Sequence, residues 1–242
     1  VRVMIIGGTS GIGLALGRYY VGAGAEVALC GRDPARLVSD PLLSHQRVQL
    51  YRVDISERMM LSQVMTQFTS QRTGGLDLLI VTAGHYIDAE QAQENERVDA
   101  LLATNIRGLC NAFDLALTFG ARQLVAVASI AGLLPDYPGL SLYAASKRAT
   151  IAICDAYRIG LSPRGVAVTT LVPGYIDTQR LRELNFGSAA HKPFLQHEDR
   201  AVQLMVAAIQ RKSPRYIFPW QLHLMVKIFS LLPRWLQRLR QR

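Results

Sequence analysis

Short apolar runs rich in β-branched residues recur along this chain, and longer stretches with helical periodicity separate them. The runs predict strands over 1–6, 26–30, 47–53, 77–82, 122–128, 166–172 and 215–218. The stretches between predict helices over 11–23, 56–72, 94–119, 141–161 and 197–211. Parallel strands need crossovers of this length, so the alternation defines an α/β chain around a parallel sheet. A glycine-rich turn follows the first strand and no eightfold pattern is present. Both facts favour a doubly wound, Rossmann-type, three-layer α/β/α sandwich over a closed barrel. Residues 175–200 break the rhythm with Gly187, Pro193, His191 and His197. They follow the sixth strand, beyond whose carboxyl end open α/β sheets hold ligands, so they form a candidate substrate loop; the alternative is an ordinary surface connection.

A chain of 242 residues, 50% hydrophobic and 19% charged, can bury one large core, and neither a linker nor an internal repeat divides it. A single domain over 1–242 is expected, with 219–242 as an apolar, basic C-terminal extension. The net charge of +9 resides in one place. Residues 200–242 hold nine Lys and Arg and no acid, whereas residues 1–199 carry 18 of each sign. Three widely spaced cysteines, Cys30, Cys110 and Cys154, exclude a disulfide framework and the usual zinc spacings. The first apolar run enters glycines without a basic leader or cleavage site, so a cytoplasmic location is expected.

Chemistry concentrates after the strands. Gly7-Gly8-Thr9-Ser10-Gly11-Ile12-Gly13 joins the first strand to the first helix, where missing side chains let amides and the positive helix end approach a pyrophosphate. The spacing is G-x-x-x-G-x-G, and a glycine-rich turn without a ligand is the competing reading. Cys30-Gly31-Arg32 ends the second strand with no carboxylate for a ribose hydroxyl and with a cation for a 2′-phosphate, which favours NADP(H) over NAD(H). In the rival arrangement Arg32 is a solvated charge and Asp33 accepts the ribose.

Tyr143 and Lys147 share one face of a helix at i, i+4, and a nearby ammonium lowers a phenol's pKa, so the pair suits acid or base work. Ser129 ends the fifth strand, where it could bond a substrate oxygen or merely cap a turn. Asn105 lies inside an apolar helix, and its amide must find partners there.

In this order and over residues 1–178, the motifs resemble the short-chain dehydrogenase/reductase family. The resemblance covers Gly7, Gly11 and Gly13, Asp54 in Val53-Asp54-Ile55, Ala83-Gly84, Asn105, Ser129, Tyr143 and Lys147, and Pro173-Gly174 with Thr178. It implies that Tyr143 exchanges a proton with a carbonyl or alcohol and that Lys147 binds the nicotinamide ribose and depresses the tyrosine pKa. Ser129 would orient the carbonyl and Asn105 would hold a relay water. Asp54 would contact adenine and Thr178 the nicotinamide carboxamide. The chain departs from the family at Ile6, in place of threonine, and at Val81-Thr82, in place of two asparagines, so hydrogen bonds there must be made otherwise. Ser129 and Tyr143 are 14 apart, one more than is common, with the extra residue in the loop Leu133–Leu142. A dinucleotide-sensing or scaffold protein of the same fold is the alternative; a serine hydrolase is excluded by the lack of G-x-S-x-G.

Trp220 to Leu232 is apolar but too short to span a bilayer, and His223, Lys227 and Ser230 form a polar stripe opposite Leu222, Met225, Val226 and Phe229. Arg234-Trp235-Leu236-Gln237-Arg238-Leu239-Arg240-Gln241-Arg242 follows Pro233. This extension suits either peripheral contact with an anionic membrane or packing on the body or a subunit interface. The expected partners are a small carbonyl or alcohol substrate and further copies of the chain, with no nucleic acid.

Overall fold

The computed structural model describes residues 1–37, 40–70, 74–134 and 141–233. β1 (Arg2–Ile6) is buried throughout, because Met4 and Ile6 enter one core while Val3 and Ile5 enter the other. A strand covered on both faces needs apolar residues at successive positions, which is why it reads as a run. α1 (Gly11–Gly22), β2 (Glu26–Gly31), β3 (Val48–Arg52), α2 (Arg58–Ser70) and β4 (Leu78–Val81) complete the first half. The second half contains α3 (Asn95–Leu102), α4 (Leu109–Thr118), β5 (Gln123–Val127), α5 (Leu142–Leu161) and β6 (Ala167–Pro173). It continues through β7 (Ile176–Asp177), α6 (Gln179–Glu183), β8 (Gln196–His197), α7 (Glu198–Gln210), β9 (Arg215–Phe218) and α8 (Trp220–Leu231).

Seven strands pair in parallel in the order β3-β2-β1-β4-β5-β6-β9, matching the seven predicted runs to within a residue at each end. Leu61, Met65, Phe68 and Phe113 pack α2 and α4 on one face, and Leu16, Val21, Val202 and Met205 pack α1 and α7 on the other. The sheet is therefore the expected three-layer sandwich. Its order reverses between β1 and β4, so the turns after these strands diverge and open a crevice at their carboxyl ends.

Two elements differ from the sequence reading. The helix expected over 94–119 is broken into α3 and α4 by a π-helical segment, Ala103–Gly108, which contains Asn105. One wide turn hardly disturbs hydrophobic periodicity, so the pattern hides it. The irregular stretch 175–200 contains a two-stranded parallel ladder, with Ile176 opposite Gln196 and Asp177 opposite His197. Two-residue strands are too short to show alternation.

The C-terminal extension packs on the body through α8. Leu222 and Val226 are buried with Ile130 against Leu133, Leu134, Tyr175 and Ile217. Met225, expected on the same side, is exposed. The segment Arg234–Arg242 and residues 135–140 of the Leu133–Leu142 loop lie outside the described residues. Among the described residues no helix is long and apolar enough to cross a membrane.

A 3₁₀ turn, Ile130–Leu133, follows β5 and packs on α5 at Gly132, where a Cβ would fall 2.7 Å from the Lys147 carbonyl carbon and 2.9 Å from Arg148 N. Gly132→Ala should therefore lower stability by about 1–3 kcal/mol, several degrees in Tm. Gly160→Ala, in α5 with nothing within 4 Å of its added methyl, should raise stability by about 0.5–1 kcal/mol. Thermal unfolding of the two variants checks both signs.

Candidate active site

The turn after β1 is shaped by close approach. Gly7 has φ +92°, and a Cβ there would stand 2.5 Å from Ala83 N and 2.6 Å from Thr82 Oγ1. On Gly13 it would stand 2.2 Å from the Gly7 carbonyl oxygen. Thr82 Oγ1 and the Thr82 and Ala83 amides all donate to the Ile6 carbonyl, at 3.2, 2.9 and 2.9 Å. Of these only the Thr82 Oγ1 bond comes from a side chain at a position that departs from the family pattern. Ser10 caps α1 without a side-chain hydrogen bond, and no acid lies in the helix's first turn. Uncapped amides at the positive end of a 12-residue helix, beside a cradle that side chains would fill, fit a pyrophosphate.

The other expected contacts share this edge of the sheet. Gly31 admits no side chain, because a Cβ would lie 2.2 Å from Thr9 Oγ1. Arg32 is exposed just beyond it, and its charge reaches His85. Asp54 Oδ1 accepts from Ser56 N at 2.9 Å and Ser56 Oγ at 2.7 Å, while Ile55 is buried beneath Gly108. Thr178 caps α6 by accepting from Leu181 N at 3.2 Å, and its Cγ2 is 3.9 Å from where a Cβ on Gly11 would be. Ile12 packs on the core shared with α7. Pro173 ends β6, and Gly174 N donates to Phe218 O at 2.7 Å beneath α8.

Ser129, Tyr143 and Lys147 come together between β5 and α5. Ser129 caps the 3₁₀ turn by accepting from Ala131 N at 3.2 Å. Ser141 starts α5 by accepting from Ala144 N at 3.1 Å, which sets Tyr143 in its first turn. Burial raises the phenol above its ordinary value; the adjacent Ser129 hydroxyl lowers it and Tyr86 raises it again. The sequence reading had a lowered phenol, but desolvation prevails. Lys147 is buried, donates to Val127 O at 3.2 Å and lies 5.8 Å from the Tyr143 ring centroid. Desolvation brings its ammonium down to about 8, with Cys154 opposing. Gly84 leaves its side open, since a Cβ there would be 3.1 Å from Lys147 Nζ.

Asn105 does not act alone. Its Nδ2 donates to His85 O at 3.0 Å and to Ser146 Oγ at 2.9 Å, and its Oδ1 accepts from His85 N at 2.8 Å. Ser146 Oγ in turn donates to Tyr143 O at 2.7 Å. Both amide hydrogens thus go to protein oxygens. The sequence reading also missed His85 and Tyr86. The Tyr86 ring meets the Tyr143 ring at 4.9 Å and 65°, and burial with the charges of Arg32, Arg97 and Arg180 lowers the His85 pKa. Their only signal was position, directly after Ala83-Gly84 at the crevice.

The short chain dehydrogenase family profile matches residues 2–188, more than half of the chain. This protein belongs to that family and is an oxidoreductase of it. It is 26% identical over 230 residues to an uncharacterized oxidoreductase of Mycobacterium tuberculosis, covering 90% of this chain and 88% of the relative. It is 30% identical over 186 residues to sulfoacetaldehyde reductase 2 of Chromohalobacter salexigens, covering 73% of each. Among solved structures, the short-chain dehydrogenase of Sphingobium yanoikuyae in complex with NADPH superposes with a TM-score of 0.76 at 23% identity, over 90% of this chain and 87% of that one.

Lys147 carries a measurable signature. Its folded pKa of about 8 lies below the ordinary 10.5, so above about 8 the unfolded chain holds a proton that the folded chain has released. Stability therefore rises with pH between these values, by at most about 1.4 kcal/mol per pH unit. Lys147→Met removes this titration. Its Tm advantage over the parent should be largest near pH 7 and shrink towards pH 10.5, as followed by thermal melts across that range.

Proposed function

We propose that this protein transfers hydride between NADP(H) and a ketone or secondary alcohol, with Tyr143 exchanging the proton. The observation that carries the reading is the convergence of Ser129, Tyr143 and Lys147 on the edge where the glycine turn and Gly84 also end. When bound, the dinucleotide supplies or accepts the hydride. Gly7 and Gly13 with the first amides of α1 hold its pyrophosphate, Asp54 and Ile55 border the adenine, and Ala83 and Gly84 line its path. Lys147 holds the nicotinamide ribose, and Thr178 the carboxamide beside Pro173-Gly174.

Ser129 and Tyr143 both present hydroxyls to the substrate oxygen. A raised phenol keeps its proton at neutral pH, the form needed to donate as a carbonyl oxygen gains charge during reduction. In the reverse direction the Tyr143 phenolate takes the alcohol proton and becomes the phenol, and the Ser129 hydroxyl stabilises that phenolate before the transfer. Asn105 is a positioning residue, pinning His85 and, through Ser146, the first turn of α5. Sulfoacetaldehyde is an aldehyde, so the name of the relative from Chromohalobacter salexigens supports carbonyl reduction. Tyr86 on the Tyr143 ring, with Leu133, Leu134 and Tyr175 in the adjoining cluster, favours a lipophilic carbonyl.

The preference for NADP(H) rests on Arg32. Thr9 packs where any side chain of residue 31 would go, so a carboxylate there is sterically barred while the next residue offers a guanidinium. The NADPH-bound relative of the same fold supports this choice.

Tyr143→Phe should lower kcat/KM for ketone reduction by about 100-fold or more while leaving NADPH affinity nearly unchanged, read by steady-state kinetics and NADPH fluorescence titration. Arg32→Ala should weaken NADPH binding by about tenfold and leave NADH binding nearly constant. Equal effects on both dinucleotides would assign Arg32 to the solvent.

A further inference from the structure

We propose that the outward face of α8 docks on the surface of an anionic lipid bilayer, a function separate from the redox reading. Helical geometry divides α8 into three sectors at about 100° per residue. Leu222 and Val226, 7% and 8% exposed, face the body. His223, Lys227 and Ser230 form the polar sector. The third sector, about 140° wide, carries Trp220, Leu224, Met225, Ile228 and Leu231. Trp220 is 67% exposed, Ile228 53% and Leu231 84%, so among the described residues this sector is mostly apolar surface open to solvent, interrupted by Gln221 between Ile228 and Met225.

Charge identifies the occupant. Lys227 flanks the apolar sector, and the sequence continues past Pro233 with four arginines, a tryptophan and two leucines. Residues 220–242 contain five cations and no acid. A second copy seated face to face would set these cations against each other with no carboxylate from the same segment to answer them. Anionic headgroups answer the cations, while the acyl boundary takes up the tryptophan and aliphatic side chains of a helix lying in the surface plane. The opposite side of α8 rests on Gly174, Ile130 and Tyr175, so docking brings the edge of the sheet that bears Ser129 within about one helix diameter, ~10 Å, of the lipid.

The test uses the full chain with phosphatidylcholine vesicles, with and without about 30% phosphatidylglycerol. The protein should co-sediment with the anionic vesicles and be released at about 0.5 M salt. Leu224→Glu/Ile228→Glu, both at exposed positions, should weaken partitioning by about tenfold or more, and Lys227→Glu by about fivefold or more, with circular dichroism and Tm unchanged. The proposal is overturned if the parent ignores anionic vesicles or if the double variant binds them as the parent does. It is equally overturned if the double variant's only effect is a smaller assembly in light scattering, which would make the face a contact between copies.

Discussion

The carbonyl oxygen of Ile6 is the point on which the carboxyl edge of the sheet is built. Three donors from Thr82 and Ala83 meet it, drawing the end of β4 against the turn that leaves β1. That contact leaves no volume for side chains at Gly7 or Gly13, because backbone and Thr82 Oγ1 already occupy it. The same closeness brings the α1 amides beside the crevice where the strand order reverses. The fold and the shape of the glycine turn are thus one constraint, a hydrogen-bonded junction tight enough to exclude a Cβ.

A second tension is set by Lys147. An ammonium buried with one backbone carbonyl and an aromatic ring for company is poorly solvated, and its lowered pKa expresses that strain. The surrounding packing sustains it: Gly132 lets the turn after Ser129 settle on the α5 backbone, and Gly84 keeps the ammonium's other side uncovered. Hydroxyl groups of a ligand at this place would supply the hydrogen bonds that the protein withholds. Burial also acts on Tyr143, so the two groups are tuned in opposite directions by the same low-dielectric surroundings.

α8 ties the C-terminal extension to this edge. A Cβ on Gly174 would lie 2.6 Å from Leu222 Cδ2, so the segment after β6 and the start of α8 interlock. The helix uses only part of its apolar circumference for that contact. Packing and outward display are therefore two sectors of one helix, which the sequence reading had treated as alternatives.

The sequence by itself determined the strands of the main sheet, its parallel architecture and the residues of the glycine turn and the Ser129, Tyr143 and Lys147 group. Strands covered on both faces must be apolar throughout, and close approach admits only glycine, so both leave marks at fixed positions. It did not reveal the π-helical turn around Asn105, the β7–β8 ladder, the Tyr86 and His85 contacts or the direction of the Tyr143 pKa. Each depends on how segments distant in the chain meet. The amide of Asn105 finds His85 and Ser146 across 20 and 41 residues. The phenol's proton affinity follows from how much water the assembled neighbours exclude, and only the folded chain sets that amount.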